Sequence, residues 1–412
     1  MDIESKLNDI LNKFPHIKKV IKRAYQLAMY SISPKVKYEG DIKRISPKDG
    51  MEYFFGYYDK SPWDASDRYM LCLRVKNATK TDASGDPAEI ILFDTQNKNS
   101  YKVIAKTNTW NVQQGCMLQW LGPDFKERII YNDFRDGNYC SIILDLSTNK
   151  EKVIEAPVYA VSRDGNFALS LDFSRLHRLR KGYGYSNKAD LTREEKCPDK
   201  PCIWYVDLRT GYSRPILKYT DFRKFETRHE MKKAEHKVNH IMINPSGERF
   251  MVLHRWIYGS RKYTRLITAN IDGSDMYNLN DDNMTSHCWW KNDSEIIAFA
   301  HKKEKGNGYY LFRDKTKEYR RFWPELSSDG HPSCSPDGSM VVTDTYPDRK
   351  RLASIYLLKN GKTECLARVF APFKYDNDVR CDLHPRWNMS GDKICFDAAF
   401  EGKRGLYYID VK

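Results

Sequence analysis

The stretch Asp329–Gly338 reads DGHPSCSPDG, and Asp382–Gly391 reads DLHPRWNMSG. Each places a histidine four residues before the start of a tight turn that contains glycine, and a strand-like apolar run follows each turn. Serine, asparagine, aspartate and glycine favour turns of this kind. Two copies can arise by chance, so their meaning depends on whether the rest of the chain repeats them.

A turn followed by a strand occurs seven times along the chain. The copies read SDRYMLCLRV, PDFKERIIYNDF, RDGNFALSLDF, PSGERFMVLHRW, NDSEIIAFAHK, PDGSMVVTDTY and MSGDKICFDAAF. Each is followed by a second strand-like run, and six continue into a short outer strand such as YKVIA or TECLA. Four short strands in each repeat predict an all-β fold, a seven-bladed β-propeller.

The last repeat has no outer strand of its own, because the chain ends after GLYYIDVK. The segment DIKRIS at 41–46 is predicted to supply that strand, since pairing with GLYYIDV covers the exposed edge and closes the ring. The predicted propeller spans 35–412 and carries an insertion at about 174–200. The insertion reads SRLHRLRKGYGYSNK over 174–188, a mixture that suits acidic sugars, nucleic acid or simply a solvated basic loop.

Residues 1–34 are predicted to form a separate amphipathic helical extension, with Pro15 starting its second helix. Apolar residues recur there at helical spacing among several lysines. Two interpretations remain open. The extension can dock on the propeller, or it can lie on an anionic membrane surface.

The chain of 412 residues is basic, with 69 Lys and Arg against 55 Asp and Glu and a net charge of +14. This excess favours an anionic partner such as an acidic glycan, anionic lipid or nucleic acid, or else a basic solvated surface. Nucleic acid is not expected, because no recognised binding motif is present. No apolar run approaches the roughly 20 residues of a membrane span, and Ala24–Ser33 is too short and polar for a secretory core. We predict a cytoplasmic protein, either free or peripheral at the inner membrane surface.

Histidines recur at one repeat position in four consecutive blades: His240, His287, His331 and His384. The strand before each turn is the innermost one of its blade, so these residues are predicted to line the mouth of the central channel. Imidazoles and carboxylates that converge there can bind a divalent metal or abstract a proton. The alternative is that they cap strands by hydrogen bonding across blades.

Arginines lie beside these histidines in the sequence, namely Arg255, Arg380 and Arg386. Guanidinium groups suit carboxylates or sulfates on a ligand, although salt bridges between blades are an alternative role. At the matching position of blade one the chain has Lys60, next to Tyr58 and Asp59. The sequence has no GxSxG, Walker or HExxH motif, so hydrolase, nucleotide-binding and zincin functions have no support.

The repeats resemble known families. The SPDG-type turns resemble TolB-related propellers. The motifs VNHIMINPSGERFMVLHRW, SHCWWKNDSEIIAFAH, DGHPSCSPDG and HPRWNMSGDKICFDAAFEGKRGLYYIDV resemble the oligogalacturonate lyase family, best over 235–412. That resemblance implies cleavage of uronate chains by β-elimination with a divalent cation, usually manganese. It implies that His287 and His384 are metal ligands, whereas Arg386 and Cys381 replace a histidine and a glutamine of the family pattern.

Taken together, the residues and the resemblance predict a lyase-like propeller that acts on uronate-containing, acidic polysaccharide or oligosaccharide. The predicted ligands of a divalent metal, manganese or calcium, are His287, His384 and Asp382. The predicted catalytic residues are His240, His331 and Arg386. The predicted substrate-binding residues are Arg255, Arg380, Lys60 and Tyr58. The alternative is a non-catalytic glycan-binding or scaffold propeller that serves cell-surface polysaccharide assembly.

Overall fold

The computed structural model describes residues 15–32, 36–81, 86–98 and 100–411. Within these ranges seven antiparallel sheets form the blades of a β-propeller, which confirms the predicted fold. The first part of the predicted extension, 1–14, and its last residues, 33–34, lie outside the described residues. No described helix is long and apolar enough to span a membrane.

Two short strands, β1 (Tyr38–Glu39) and β2 (Lys43–Arg44), precede the blades. Blade one contains β3 (Glu52–Phe54), β4 (Tyr69–Val75), β5 (Ala88–Asp94) and β6 (Ser100–Thr107). Blade two contains β7 (Gln119–Trp120), β8 (Arg128–Arg135), β9 (Asn138–Asp145) and β10 (Glu151–Ile154). Blade three contains β11 (Ala160–Val161), β12 (Phe167–Leu171), β13 (Pro201–Asp207) and β14 (Ser213–Lys218).

The remaining four blades follow the same order. Blade four contains β15 (Glu235–Ile243), β16 (Arg249–Tyr258), β17 (Arg261–Asn270) and β18 (Tyr277–Asn280). Blade five contains β19 (Thr285–Trp290), β20 (Glu295–Lys302), β21 (Gly306–Arg313) and β22 (Tyr319–Trp323). Blade six contains β23 (Ser333–Cys334), β24 (Met340–Asp344), β25 (Leu352–Lys359) and β26 (Lys362–Phe370). Blade seven contains β27 (Arg386–Trp387), β28 (Lys393–Ala398) and β29 (Gly405–Asp410).

The middle strands are buried on both faces, because each blade packs between two neighbours. This explains why β4 and β20 read as nearly continuous apolar runs, YMLCLRV and EIIAFAHK, rather than as alternating patterns. Their side chains belong to apolar clusters that are shared between adjacent blades. All ten cysteines are free thiols, and most are buried.

The ring closes as predicted. Strand β2 pairs with β29, with Lys43 opposite Tyr408 and Arg44 opposite Tyr407, so the N-terminal segment completes blade seven. Strand β1 adds a fifth strand to blade six, where Tyr38 lies opposite Val369. The sequence did not indicate this second pairing, because a two-residue strand is too short to show a periodic pattern.

Helix α1 (Pro15–Ile32) docks on the propeller. Arg23 forms an ion pair with Asp376 at 3.1 Å, and its guanidinium also donates to the Phe373 carbonyl. The ring of Tyr30 stacks on Phe370 with centroids 5.1 Å apart. Pro15–Ile32 therefore docks on the propeller, as the first of the two interpretations predicts. The contacts come from polar and aromatic residues of the helix and not from its apolar residues.

The predicted insertion connects β12 to β13 and begins with helix α2 (Phe173–Leu179), which Asp172 caps. Arg175 is fully buried and donates to backbone carbonyls of the insertion and of β15, including that of His236. Gly182 adopts a φ of +87°, and a Cβ there would lie 2.4 Å from the Asp378 carbonyl oxygen. Glycine thus lets the insertion approach the loop before blade seven.

Two further helical segments follow blade three, α3 (Tyr219–Lys224) and a 3-10 helix (His229–Lys233). A second 3-10 turn, Asn377–Val379, lies in the loop between blades six and seven. This loop touches both α1 and the insertion, so it joins peripheral elements to the rim of the channel.

Truncation separates the roles of the two N-terminal elements. Removing residues 1–34 deletes α1 and should leave a folded propeller whose melting temperature falls by a few degrees at most. Removing residues 1–46 also deletes β1 and β2 and exposes the edge of β29, so it should cause unfolding or aggregation. Thermal melts followed by circular dichroism distinguish the two. An equal loss of stability in both truncations would show that α1 is integral to the fold.

Candidate active site at the mouth of the central channel

The structure brings the four repeat histidines together. Ring centroids are 6.2 Å apart for His240 and His287, 4.0 Å for His287 and His331, and 4.3 Å for His331 and His384. All four side chains are buried, with relative exposures of 0–3%. Equivalent repeat positions thus converge on one point, as the alignment of the turns predicts.

Asp344, at the end of β24, positions two of these histidines. One of its carboxylate oxygens accepts from the backbone N–H and the Nδ1 of His331, each at 2.8 Å, and the other accepts from the backbone N–H of His384 at 3.0 Å. Gly330 makes this approach feasible, because a Cβ there would lie 1.7 Å from the Asp344 carbonyl oxygen. The glycine of the DGHP motif is therefore required by packing around the site.

The Nε2 atoms of His331 and His384 are buried and have no hydrogen-bond partner among the described residues. Together with a carboxylate oxygen of Asp382, these two residues offer ligand atoms that all lie within 4.8 Å of one another. A buried acceptor nitrogen without a hydrogen-bond partner is energetically costly, and coordination to a metal cation would satisfy it. Two imidazoles and one carboxylate form a plausible ligand set for a divalent transition metal, whereas calcium prefers oxygen ligands.

His287 has a different partner. Its Nδ1 lies 3.0 Å from Asp329 Oδ1, so Nδ1–H donates to this carboxylate and Nε2 is left as an acceptor. Burial, followed by the charge of His331, lowers the pKa of His287 to about 4, so the imidazole is neutral at neutral pH. Burial acts to raise the pKa of Asp329, but the His287 ring and its hydrogen bond lower it overall. The pair has the geometry of a carboxylate-oriented base.

Both ring nitrogens of His240 have hydrogen-bond partners within the protein. Its Nδ1 and Nε2 lie 3.1 Å from the hydroxyls of Tyr57 and Tyr58, and Nε2 also contacts the Cys288 carbonyl at 3.3 Å. The backbone of His240 has a φ of +61°, an uncommon conformation for a residue with a side chain. The ring positions two buried phenols, and Tyr58 itself donates to the Cys288 carbonyl at 2.7 Å.

A strongly basic cavity of about 520 Å³, called the basic mouth below, lies next to Arg380. The cations that line it are Arg178, Arg180, Lys181, Lys237, Lys262 and Arg380. Among its described lining residues, the only carboxylate is that of Asp378. Arg380 connects this cavity to the group formed by His331, His384 and Asp382, because its guanidinium forms a two-point ion pair with Asp382. Burial acts to raise the pKa of Asp382, but the charge of Arg380 and its hydrogen bond lower that pKa overall.

Several of these cations have no carboxylate partner. Arg178 pairs with Asp190 and Glu235, whereas no described carboxylate pairs with Arg180, Lys181 or Lys262. Arg255 is 5% exposed and lies opposite Lys237 in blade four. No described residue accepts a hydrogen bond from its Nε. The charge of Arg255, followed by burial, lowers the pKa of Lys262 to about 7. Burial and then the charge of Arg180 lower the pKa of Arg255 to about 10. Such mutual repulsion is relieved when an anion binds.

Arg386 and Lys60, two residues predicted for the site, do not line the basic mouth. Arg386, expected to contact a substrate carboxylate, is buried and forms an ion pair with Asp397 at 2.6 Å, while it also donates to the carbonyls of Gly56 and Tyr57. The guanidinium of Arg386 thus binds Asp397 and the backbone at Gly56 and Tyr57, and it holds this loop instead of contacting a ligand.

Lys60 forms a buried ion pair with Asp59 at 2.7 Å. It lines a separate cavity of about 250 Å³, together with Met242 and Ile243, which follow His240 along β15. The Lys60 side chain thus lines a different cavity from the basic mouth.

The basic mouth contains residues that the sequence did not single out. Arg180 lies 4.1 Å above the Tyr183 ring, in the insertion whose composition was compatible with a solvated loop. Lys262 is on β17, where no motif marks it. The sequence does contain a signal for Asp329, which stands two residues before His331 in the motif DGHP.

Comparisons with known proteins bear on the fold. No protein-family model and no curated protein matches the chain. An oligogalacturonate lyase in complex with manganese has a TM-score of 0.65 at 18% identity, covering 92% of this chain and 97% of that one. An oligogalacturonate lyase from Vibrio parahaemolyticus has a TM-score of 0.62 at 14% identity, covering 92% and 98%. TolB from Acinetobacter baumannii has a TM-score of 0.42 at 16% identity, covering 85% and 83%. The chain therefore has the seven-bladed propeller fold that is seen in the oligogalacturonate lyases.

Proposed function

We propose that this protein is a metal-dependent lyase that cleaves uronate-containing oligosaccharides by β-elimination. The observation that carries the proposal is the pair of buried, unpartnered Nε2 atoms on His331 and His384, which lie with Asp382 beside a mouth of unpaired cations. The fold likeness to an oligogalacturonate lyase that binds manganese supports it. A proton next to a carboxylate can be removed only when the carboxylate charge is neutralised and a base is close.

The metal would be held by His331, His384 and Asp382, and when bound it would supply a Lewis acid that neutralises the uronate carboxylate. This assignment retains two of the ligands predicted from sequence and exchanges His287 for His331. Asp344 orients the His331 imidazole by accepting from its ring Nδ1 and backbone N–H, and it also accepts from the backbone N–H of His384. Such supporting carboxylates fix the orientation of ligand histidines and raise their basicity. Manganese suits this mixed nitrogen and oxygen set better than calcium does.

His287 is the proposed base. Asp329 accepts from its Nδ1, so Nε2 can take the proton from the carbon beside the carboxylate, and the Asp329 carboxylate then stabilises the imidazolium. The electron pair left on that carbon forms a C=C bond as the glycosidic C–O bond on the next carbon breaks, and the leaving oxygen takes up a proton from the imidazolium or from water. Arg255 and Lys262 supply positive charge for the acidic groups of the sugar chain, because neither has a carboxylate partner among the described residues. Tyr183 and Tyr346, which stack with Arg180 and Arg380, offer aromatic faces for sugar rings.

The test is an activity assay with the full chain, manganese and a panel of acidic oligosaccharides. β-Elimination creates an unsaturated uronate, whose ultraviolet absorbance should rise with time and stop when a chelator is added. If an oligosaccharide binds in the basic mouth but no panel member yields such a product, the protein is a non-catalytic glycan-binding propeller instead.

Binding of an acidic oligosaccharide at pH 7 should be accompanied by proton uptake. Lys262, with a pKa of about 7, is only partly protonated in the free protein, and a bound carboxylate raises that pKa again. Isothermal titration calorimetry in buffers of different ionisation enthalpy measures this uptake. The Lys262→Met variant should lose it, whereas Lys102→Met, on the outer strand of blade one, should retain it. Equal uptake in both variants would assign the proton to another group.

A further inference from the structure

Helix α1 has an apolar face that does not contact the propeller. Its large exposed apolar residues have relative exposures of 45–77%: Val20, Ile21, Tyr25, Leu27 and Ile32. At about 100° per residue these positions fall within one arc of the helix surface. The contacts with the propeller come from the opposite side, through Arg23, Gln26 and Tyr30. Docking on the propeller therefore leaves the apolar face uncovered by described residues.

The surroundings of this face are basic. Within Pro15–Ile32 the sequence contains Lys18, Lys19, Lys22 and Arg23 and no acidic residue. By helical geometry, positions 18 and 22 border the apolar arc. The two propeller loops nearest the docking contacts add three exposed cations that pair with no described carboxylate: Arg349, Lys350 and Lys374. An apolar arc bordered by lysines is typical of a helix that lies in a membrane interface.

A second protein is a less suitable occupant of this face. Lysine is depleted from the cores of protein–protein interfaces, whereas anionic lipid headgroups are attracted by lysines at the edge of an apolar face. The net charge of +14 adds a long-range attraction to an anionic surface. The chemistry therefore favours a lipid surface.

We propose that α1 docks this protein on an anionic membrane surface, with the apolar face inserted among the headgroups. Arg23 holds the helix through Asp376, which directly precedes the Asn377–Val379 turn, and Asn377 and Asp378 line the basic mouth. Membrane docking thus places the mouth of the channel beside the lipid surface, where membrane-attached acidic glycans are accessible. The proposal does not depend on the lyase reaction.

The experiment is co-sedimentation of the full chain with vesicles of phosphatidylglycerol and phosphatidylcholine, and with pure phosphatidylcholine. The protein should sediment with the anionic vesicles at low salt and with the neutral vesicles far less. The Ile21→Ser/Ile32→Ser variant should lose at least about tenfold in partitioning, because two apolar side chains no longer insert. The Lys18→Gln/Lys22→Gln variant should lose about fivefold for each lysine removed.

The matched control is Tyr212→Ser, which removes a 62% exposed apolar residue from a turn of blade three and should leave partitioning unchanged. Absence of sedimentation with anionic vesicles, or equal loss in the control, would overturn the proposal. So would dimerisation in solution that the Ile21→Ser/Ile32→Ser variant abolishes, since a second copy would then be the occupant. Binding that appears only after deletion of residues 1–14 would show that this segment covers the face instead.

Discussion

Replacing His384 with alanine is expected to abolish metal binding and turnover together, whereas replacing His287 with glutamine should abolish turnover and leave the metal in place. The difference follows from their partners. His384 presents a buried, unpartnered Nε2 next to Asp382, while His287 is held by Asp329 as a base. Loss of a general base typically reduces the rate by about two to four orders of magnitude.

Metal content by elemental analysis and the initial rate of product formation should be measured for both variants under the same conditions. The control is His301→Ala, which removes a half-buried histidine that contacts Asn307 and should change neither quantity. If His287→Gln also loses the metal, then His287 is a ligand, as the sequence resemblance implied, and His331 becomes the candidate base. Retention of metal by His384→Ala would contradict the proposed site.

Acidification of the metal-free protein from pH 7.5 to 5.5 should reduce the free energy of unfolding by about 7 kcal/mol. Five buried histidines have a lowered pKa: His236, His240, His254, His287 and His384. Burial is the first cause in each case. Between their folded-state values and 6.5 the unfolded chain binds more protons than the folded one, so stability falls as pH falls. Each group contributes between about 1 and 2 kcal/mol over this range.

Since small proteins are typically stable by about 5–15 kcal/mol, we expect unfolding near pH 5. Urea titrations followed by tryptophan fluorescence, with a chelator present, measure the effect at several pH values. The exposed His229→Ala variant should show the same pH dependence as the parent protein. A stability that stays constant down to pH 5 would mean that these histidines are protonated within the fold, and the proposed neutral ligands and base would be wrong.

The repeat pattern predicted the fold because every blade repeats the same turn, and the turn fixes which strand is innermost. Alignment on that turn was enough to bring His240, His287, His331 and His384 together. It also identified β2 as the closing strand, since the last repeat was short of one strand and β2 pairs with β29.

Roles within the cluster were not predictable in the same way. Arg386 and Lys60 occupy rim positions in the sequence, but Asp397 and Asp59 pair with them. Asp59 precedes Lys60 and Asp397 lies on the neighbouring strand β28, so these partners are close in sequence, but the rim pattern does not show that the side chains meet. The basic mouth is assembled from the insertion and blade four, which no local motif connects. Long-range packing thus decides which cations remain available for a ligand.

The most direct test of the proposed reaction is the mass of the products formed from an acidic oligosaccharide in ordinary water with manganese present. β-Elimination breaks the glycosidic bond without adding water, so the two products should together have the mass of the substrate. Products whose summed mass exceeds that of the substrate by one water would show hydrolysis. That result, or the absence of any cleavage across uronate-containing substrates that bind, would contradict the lyase function.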